Sequence, residues 1–357
     1  MTEFVDRIAG FYHETLGQNQ IPVRYLVLDP GGDHQYYFRP STTNLHQVSN
    51  MISGAGIKRR LGAASLRLCS FFPNGALMLP YVTSQRISVG ETKQPDIIVV
   101  SNRIRLLDRS QGVVHTLPRS TSTGITSEID ARRFLPDEIT TPELLDWNRN
   151  VPYFTEEYIN GTQIGSPSEN WSTFERAYEN LYQLYYQTVE DSIPITEYID
   201  QLSTELSGQP IDPDLFSDAI EILERSALPG WVRPCTIHGD MHGRNVLAQD
   251  DELYIIDWEN LRSDVLIMDL FRSFLVDYYD TRDITPFIHM FDSNNDIYAC
   301  VQRFARINGT VMWGDNDWYP GLILLAALKS LDRNTQHSPM WNCSLELLTK
   351  LVNHDPI

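Results

Sequence analysis

Cys235-Thr-Ile-His-Gly-Asp-Met-His-Gly-Arg-Asn-Val-Leu247, followed shortly by Leu253-Tyr-Ile-Ile-Asp-Trp-Glu259, is the stretch on which the reading of this chain turns. The runs NVLAQ (245–249) and ELYIIDW (252–258) read as a strand pair, with Asp250 and Asp251 as turn residues. That hairpin brings Asn245 and Asp257 to neighbouring strand ends. Asp257 closes the short apolar strand Leu253–Ile256, a place from which a carboxylate can be presented to a hard cation. Asp240 precedes Asn245 by five residues.

Two carboxylates and an amide at this spacing suit phosphoryl transfer. The γ-phosphoryl group needs its charge neutralised by divalent metal, and the attacking hydroxyl must be aimed in line by a group that accepts its proton. Asp240 can be that base, and Asn245 and Asp257 supply the oxygens that magnesium favours. The interval from Asp240 to Asn245 is that of the kinase catalytic loop.

HGDMHGRN followed by IIDWE resembles the HGDxHxxN and IDWE signatures of the aminoglycoside phosphotransferase family, whose choline-kinase-like and homoserine-kinase-like relatives share much of the pattern. The resemblance spans about 95–340 and is specific over 237–270. It implies an α+β, bilobal, protein-kinase-like fold, and ATP- and Mg2+-dependent phosphorylation of a hydroxyl on a small molecule. By position, it makes Asp240 the catalytic base and Asn245 and Asp257 the magnesium ligands. It has His238 shaping the catalytic loop by hydrogen bonding, and Asp269 bracing that loop from a helix. His242 has an even claim to being a loop histidine without a task. Trp258 reads as packing rather than substrate contact, Glu259 either as an indirect metal partner or as a solvated strand-end acid, and Asp250, Asp251 and Glu252 as a solvated turn.

The same resemblance sets the small lobe at 95–160 and the large helical lobe, with the catalytic loop, at 161–357. DIIVV, RIRLLDR and GVVHTLPR read as strands, TSEIDARRFL as a helix capped by Thr126 or Ser127, and VPYFTEEYI as a strand. A kinase-like small lobe offers a lysine to the phosphates and pairs it with a helix glutamate, yet no lysine occurs from 94 to 328. By order along the chain, Arg119 replaces it, with Glu128 as partner. Arg39 is the competing cation, but no glutamate follows it on the next helix. PYFTEEYINGTQ resembles the strand that runs into the interlobe linker, where adenine would meet backbone groups of Glu157, Tyr158 and Ile159. No glycine-rich phosphate loop is evident, since Gly54-Ala-Gly56 is followed by IKRR.

Residues 1–94 read as an extra N-terminal α+β module of unknown role. Phe4, Ile8, Phe11 and Tyr12 keep helical spacing. RYLVL and QYYFR flank the turn DPGGD, a helix covers 43–53, and a hairpin is expected over 66–82. In the large lobe, helices are expected at 171–189, 194–206, 213–227, 264–280, 295–307 and 320–331.

The net charge of −19 argues against nucleic acid and anionic lipid as partners. Four lysines against 24 arginines on an acidic chain suit a surface hydrated in high salt, a halophilic trait. Cys69, Cys235, Cys300 and Cys343 lie far apart without a CxxC pair, so they read as buried thiols of a reducing cytoplasm. No signal peptide is read at the N-terminus, and the longest apolar stretch, 321–328, is too short to insert in a membrane. Cytoplasmic location is therefore expected, and the oligomeric state stays open. The alternative to a small-molecule kinase is a pseudokinase, a nucleotide- or protein-binding module in which the missing lysine marks lost catalysis.

Overall fold

The computed structural model describes residues 2–28, 34–52, 82–120, 124–225, 230–289, 319–333 and 338–353, with five more between 290 and 318. The chain divides into two units, Met1–Phe134 with Thr141–Thr162, and Leu135–Thr140 with Gln163–Ile357. The class is α+β, with the sheet in the first unit and most helices in the second.

The first unit is built on one antiparallel sheet of eight strands: β1 (Gln20–Leu28), β2 (Gln35–Phe38), β3 (Val82–Gly90), β4 (Ile97–Val100), β5 (Arg103–Asp108), β6 (Val113–Pro118), β7 (Leu144–Asn148) and β8 (Tyr153–Glu157). Their spatial order is β3-β1-β2-β4-β5-β6-β8-β7. Alternation along the strands sorts side chains onto two faces. Tyr25, Tyr37, Ile98, Ile104 and Leu106 pack with Phe4, Ile8, Phe11 and Tyr12, from α1 (Thr2–Gly10) and the helical turn after it. Leu26, Leu28, Tyr36, Phe38, Ile97 and Leu107 pack on the opposite face with Leu45 and Val48 of α2 (Thr42–Ile52). Through Ile125 and Ile129, α3 (Gly124–Phe134) packs against Phe154.

Two expectations are corrected here. The boundary at residue 94 is no break, because β2 pairs with β4 across it, Tyr37 opposite Ile98. The N-terminal segment is therefore part of the same sheet as 95–160 and not a module of its own. The helix expected to be capped at Thr126 or Ser127 already runs from Gly124. The turn 29–33, the expected hairpin up to residue 81 and Gly54 to Gly56 lie outside the described residues, as does most of 295–307.

The second unit carries α4 (Trp171–Gln187), α5 (Ile195–Leu206), α6 (Pro213–Arg225), α7 (Ile267–Thr281), α8 (Thr285–His289), α9 (Tyr319–Arg333) and α10 (Pro339–Asn353). Phe174, Tyr178, Leu181 and Tyr185 form the buried stripe of α4, at the three- and four-residue spacing of one helix face. Two small strand pairs frame the motif. β9 (Cys235–Ile237) pairs with β12 (Arg262–Asp264), and β10 (Val246–Gln249) with β11 (Glu252–Ile255). Among the described residues no helix is long and apolar enough to cross a membrane.

Candidate active site

The loop 238–245 joins β9 to β10, and α7 holds it residue by residue. Asp269 accepts the backbone N–H of His238 at 2.8 Å and that of Gly239 at 2.7 Å. Arg272 donates through Nε to Asp240 Oδ1 at 2.7 Å. The Ser273 hydroxyl donates to the Met241 carbonyl at 2.8 Å, and Arg244 pairs with Asp280. Positions 269, 272, 273 and 280 share one helix face, so a single helix reads the loop along its length. Asp269 is fully buried, and burial raises its carboxyl above the usual range while nearby His238 and the N–H donors oppose the rise. Tyr185 of α4 also donates to it, at 2.9 Å.

Both glycines of the loop are dictated by space. Gly239 has φ +82°, and a Cβ there would come within 2.2 Å of the Asn260 carbonyl oxygen. A Cβ on Gly243 would stand 1.6 Å from the Gly165 carbonyl oxygen. His238 ties the loop to the second half of the motif. Its Nδ1 accepts the Asp240 N–H at 3.2 Å, so Nε2 carries the proton donated to the Ile256 carbonyl at 3.0 Å. Its ring also lies 4.6 Å from that of buried Trp258.

Asp240, Asn245 and Asp257 come together as the hairpin implies. The Asn245 amide nitrogen donates to the Asp240 carbonyl at 2.9 Å and lies 3.3 Å from its Oδ2. This leaves the amide oxygen for another ligand. The Ile256 N–H donates to the Asn245 carbonyl at 2.9 Å, placing Asp257 one residue beyond. Asp257 itself is left-handed, φ 69° and ψ 56°, a conformation that costs a non-glycine residue roughly 1–3 kcal/mol and that clusters at functional sites. An amide oxygen and a carboxylate fit a hard cation such as Mg2+, which commonly takes its remaining ligands from phosphates and water. No three of His, Cys, Asp or Glu converge as a closed metal cage among the described residues. Burial pushes the Asp240 carboxyl up, but Arg272 and His242 outweigh it and hold the group well below the usual carboxylate range.

In the sheet unit the expected pair Arg119–Glu128 is not formed. Arg119 is exposed, and its guanidinium donates to the Ser101 carbonyl at 2.9 Å. Glu128 is buried and pairs instead with Arg103 at 3.2 Å and, more loosely, with Arg132 at 3.9 Å. Arg103 opens β5 directly opposite Pro118 on β6, so the cation reaches Glu128 from the strand next to the one expected. Arg132 continues the network to Glu156 at 2.8 Å. The N–H groups of Glu157 and Tyr158 are taken by the carbonyls of Glu143 and Gly112, both at 2.9 Å, whereas Ile159 is buried just beyond the strand end. Arg103, Arg272, Ser273 and Asp280 escaped the sequence reading. The face shared by Asp269, Arg272, Ser273 and Asp280 was available in the helical spacing. The partner of Glu128 was not, because it depends on strand register.

A family model described as a phosphotransferase enzyme family matches residues 101–302, more than half of the chain, beginning between β4 and β5. No curated protein matches by sequence. Among solved structures, a choline/ethanolamine kinase family protein from Mesorhizobium loti is 17% identical with a TM-score of 0.44, over 70% of this chain and 85% of that one. The choline kinase LicA from Streptococcus pneumoniae is 12% identical with a TM-score of 0.45, over 71% and 91%. A thermostable mutant of the aminoglycoside phosphotransferase APH(4)-Ia, in complex with AMP-PNP and hygromycin B, is 10% identical with a TM-score of 0.48, over 98% of each chain.

Proposed function

Because the chain belongs to the phosphotransferase enzyme family, we propose that it moves the γ-phosphoryl group of ATP to a hydroxyl of a small molecule of the amino-sugar, amino-alcohol or sugar type. The observation that carries this reading is the Asp240 carboxylate, oriented by Arg272 and Asn245, with Asp257 next to Asn245 across the hairpin. Asp240 aims the acceptor hydroxyl and receives its proton. Asn245 Oδ1 and the Asp257 carboxylate would hold Mg2+, whose charge would offset that of the phosphates. His238 and Asp269 keep the loop in register for this task. In the sheet unit, Arg103 takes the place assigned to Arg119 as the cation beside Glu128. Of the segment Glu157 to Ile159, the Ile159 N–H is the group proposed for the adenine edge, since the two before it are spent on the sheet.

Calorimetry and a transfer assay test this. ATP is expected to bind weakly in chelator and tightly with Mg2+. Asp240→Asn is expected to lower transfer by roughly 10²–10⁴-fold while keeping ATP binding. Equal affinity with and without the metal removes Asn245 and Asp257 as its ligands, and an Asp240→Asn variant at full rate removes the catalytic reading. A second reading, a nucleotide-binding pseudokinase, is favoured by one observation: Glu128 is committed to buried arginines in a stretch without lysine. On that reading ATP binds, and no acceptor in a panel of small alcohols gains phosphate.

A further inference from the structure

Arg272 lies 32 residues beyond Asp240 and outside both halves of the signature, yet it makes the shortest side-chain contact to the Asp240 carboxylate, Nε to Oδ1 at 2.7 Å. The other carboxylate oxygen faces Asn245 Nδ2 at 3.3 Å and His242 Nε2 at 3.5 Å. With a partner on each oxygen, rotation of the carboxylate plane is blocked. The arginine is tied to the same turn of α7 that grips the loop backbone, through Asp269 three residues before it and Ser273 just after it. The helix therefore fixes the loop's main chain and the orientation of the Asp240 carboxylate together. The contact runs through Nε alone, a planar donor that a lysine ammonium does not reproduce.

We propose that Arg272 is a positioning residue for the transfer step: it holds the Asp240 carboxylate at the angle that aims the acceptor hydroxyl. The assignment rests on the phosphotransferase reading above. Arg272 acts through Asp240 and not on the nucleotide, so its loss lowers kcat and leaves the KM for ATP nearly unchanged. Misplacing a reacting group by an ångström costs on the order of 100-fold, and that is the fall expected on freeing the carboxylate.

The test measures ADP release from Mg-ATP, with and without a panel of amino sugars and amino alcohols. It uses the wild type, D240N, R272A, R272M and R272K, each checked for a cooperative thermal transition. R272A and R272M are expected to lose about 100-fold in kcat with KM for ATP held. R272K is expected to lose less, and R272A to regain rate in added methylguanidinium, which a merely structural arginine would not permit. The proposal is overturned by any of three results: a wild-type kcat in R272M; a rise in KM for ATP that matches the fall in kcat; or no rescue of a folded R272A. An unchanged kcat in R272K overturns it even where the neutral variants do not fold. If the wild type releases no ADP, or D240N matches the wild type, the phosphotransferase reading falls and takes the role of Arg272 with it. If both controls hold and the arginine variants behave as wild type, the role of Arg272 alone falls.

Discussion

Asp240 and Glu128 are both carboxylates held by arginine, and they are held in opposite ways. The side chain of Asp240 keeps 20% of its surface open, and its arginine 24%. Glu128 keeps 2%, and the two arginines beside it 4% and 1%. A charge that must meet a substrate needs an open side and a partner that leaves one. A charge closed in by two cations is costly to bury and is tolerated only with its partners in place. On the proposed reading the first arrangement orients a reagent, whereas the second ties α3 to its sheet. Both rely on arginine in a chain with 24 arginines and four lysines, and the planar guanidinium suits both tasks.

The contrast can be broken by single substitutions. The largest effect is expected from Asp269→Ala, which strands the N–H groups of His238 and Gly239 and the Tyr185 hydroxyl. At about 1–3 kcal/mol for each buried unsatisfied group, the loss is on the order of 5 kcal/mol. Urea denaturation measures it, and a loss near that of a surface substitution would mean the loop does not depend on α7. Next, Arg103→Met leaves Glu128 short of a buried partner and is expected to cost about 4 kcal/mol. Arg119→Met removes an exposed side chain and should stay within about 0.5 kcal/mol. Equal losses in the two variants would erase the distinction between them.

An effect smaller than that of Arg103→Met concerns His115, which lies in the same sheet with Nδ1 2.9 Å from Thr155 Oγ1 and its ring against Phe11. Burial, helped by Lys93, lowers its pKa from 6.5 to about 4. Between those two values the unfolded chain binds a proton that the folded sheet rejects. Stability from this group is therefore intact above pH 6.5 and falls as the pH drops toward 4, by about 3 kcal/mol in all. His115→Gln should remove that share of the pH dependence. Parallel stability profiles for the variant and the wild type between pH 7 and 4 would show that His115 does not titrate in this way.

The loop proposed to be catalytic was legible as a unit because its polar residues are packed into a few consecutive positions. Asp240, Asn245 and Asp257 can be read from spacing alone once the hairpin is recognised, and the hairpin itself forms Val246 opposite Ile255. The brace was half legible. Asp269 matched a family position, but Arg272 did not, because an arginine on an amphipathic helix looks like any solvated residue. The sheet unit was readable as strands and local hairpins, not as the register that sets which residues face each other. Order along the chain pointed to Arg119 because it ends the strand before the helix. Register gave Glu128 to Arg103, one strand away. The strand Leu144–Asn148 escaped notice because its side chains are mostly exposed and it carries a bulge between Leu144 and Asp146. The helix Pro339–Asn353 escaped although Trp341, Ser344, Leu347 and Leu348 mark its buried face at helical spacing.

The pairing of β2 with β4 bears on how this chain could be shortened. Cutting away residues 1–94, which the sequence presents as a detachable piece, would leave β4 as a raw border of the sheet. That border reads Ile97-Ile-Val-Val100, four β-branched aliphatics in a row. Its backbone groups would be open to pairing with another chain, and it has no proline or charge to discourage this. The fragment that keeps every residue of the proposed chemistry would thus be prone to stick to copies of itself. The N-terminal strands, which contribute none of that chemistry, serve the protein by keeping one of its most apolar strands away from strangers.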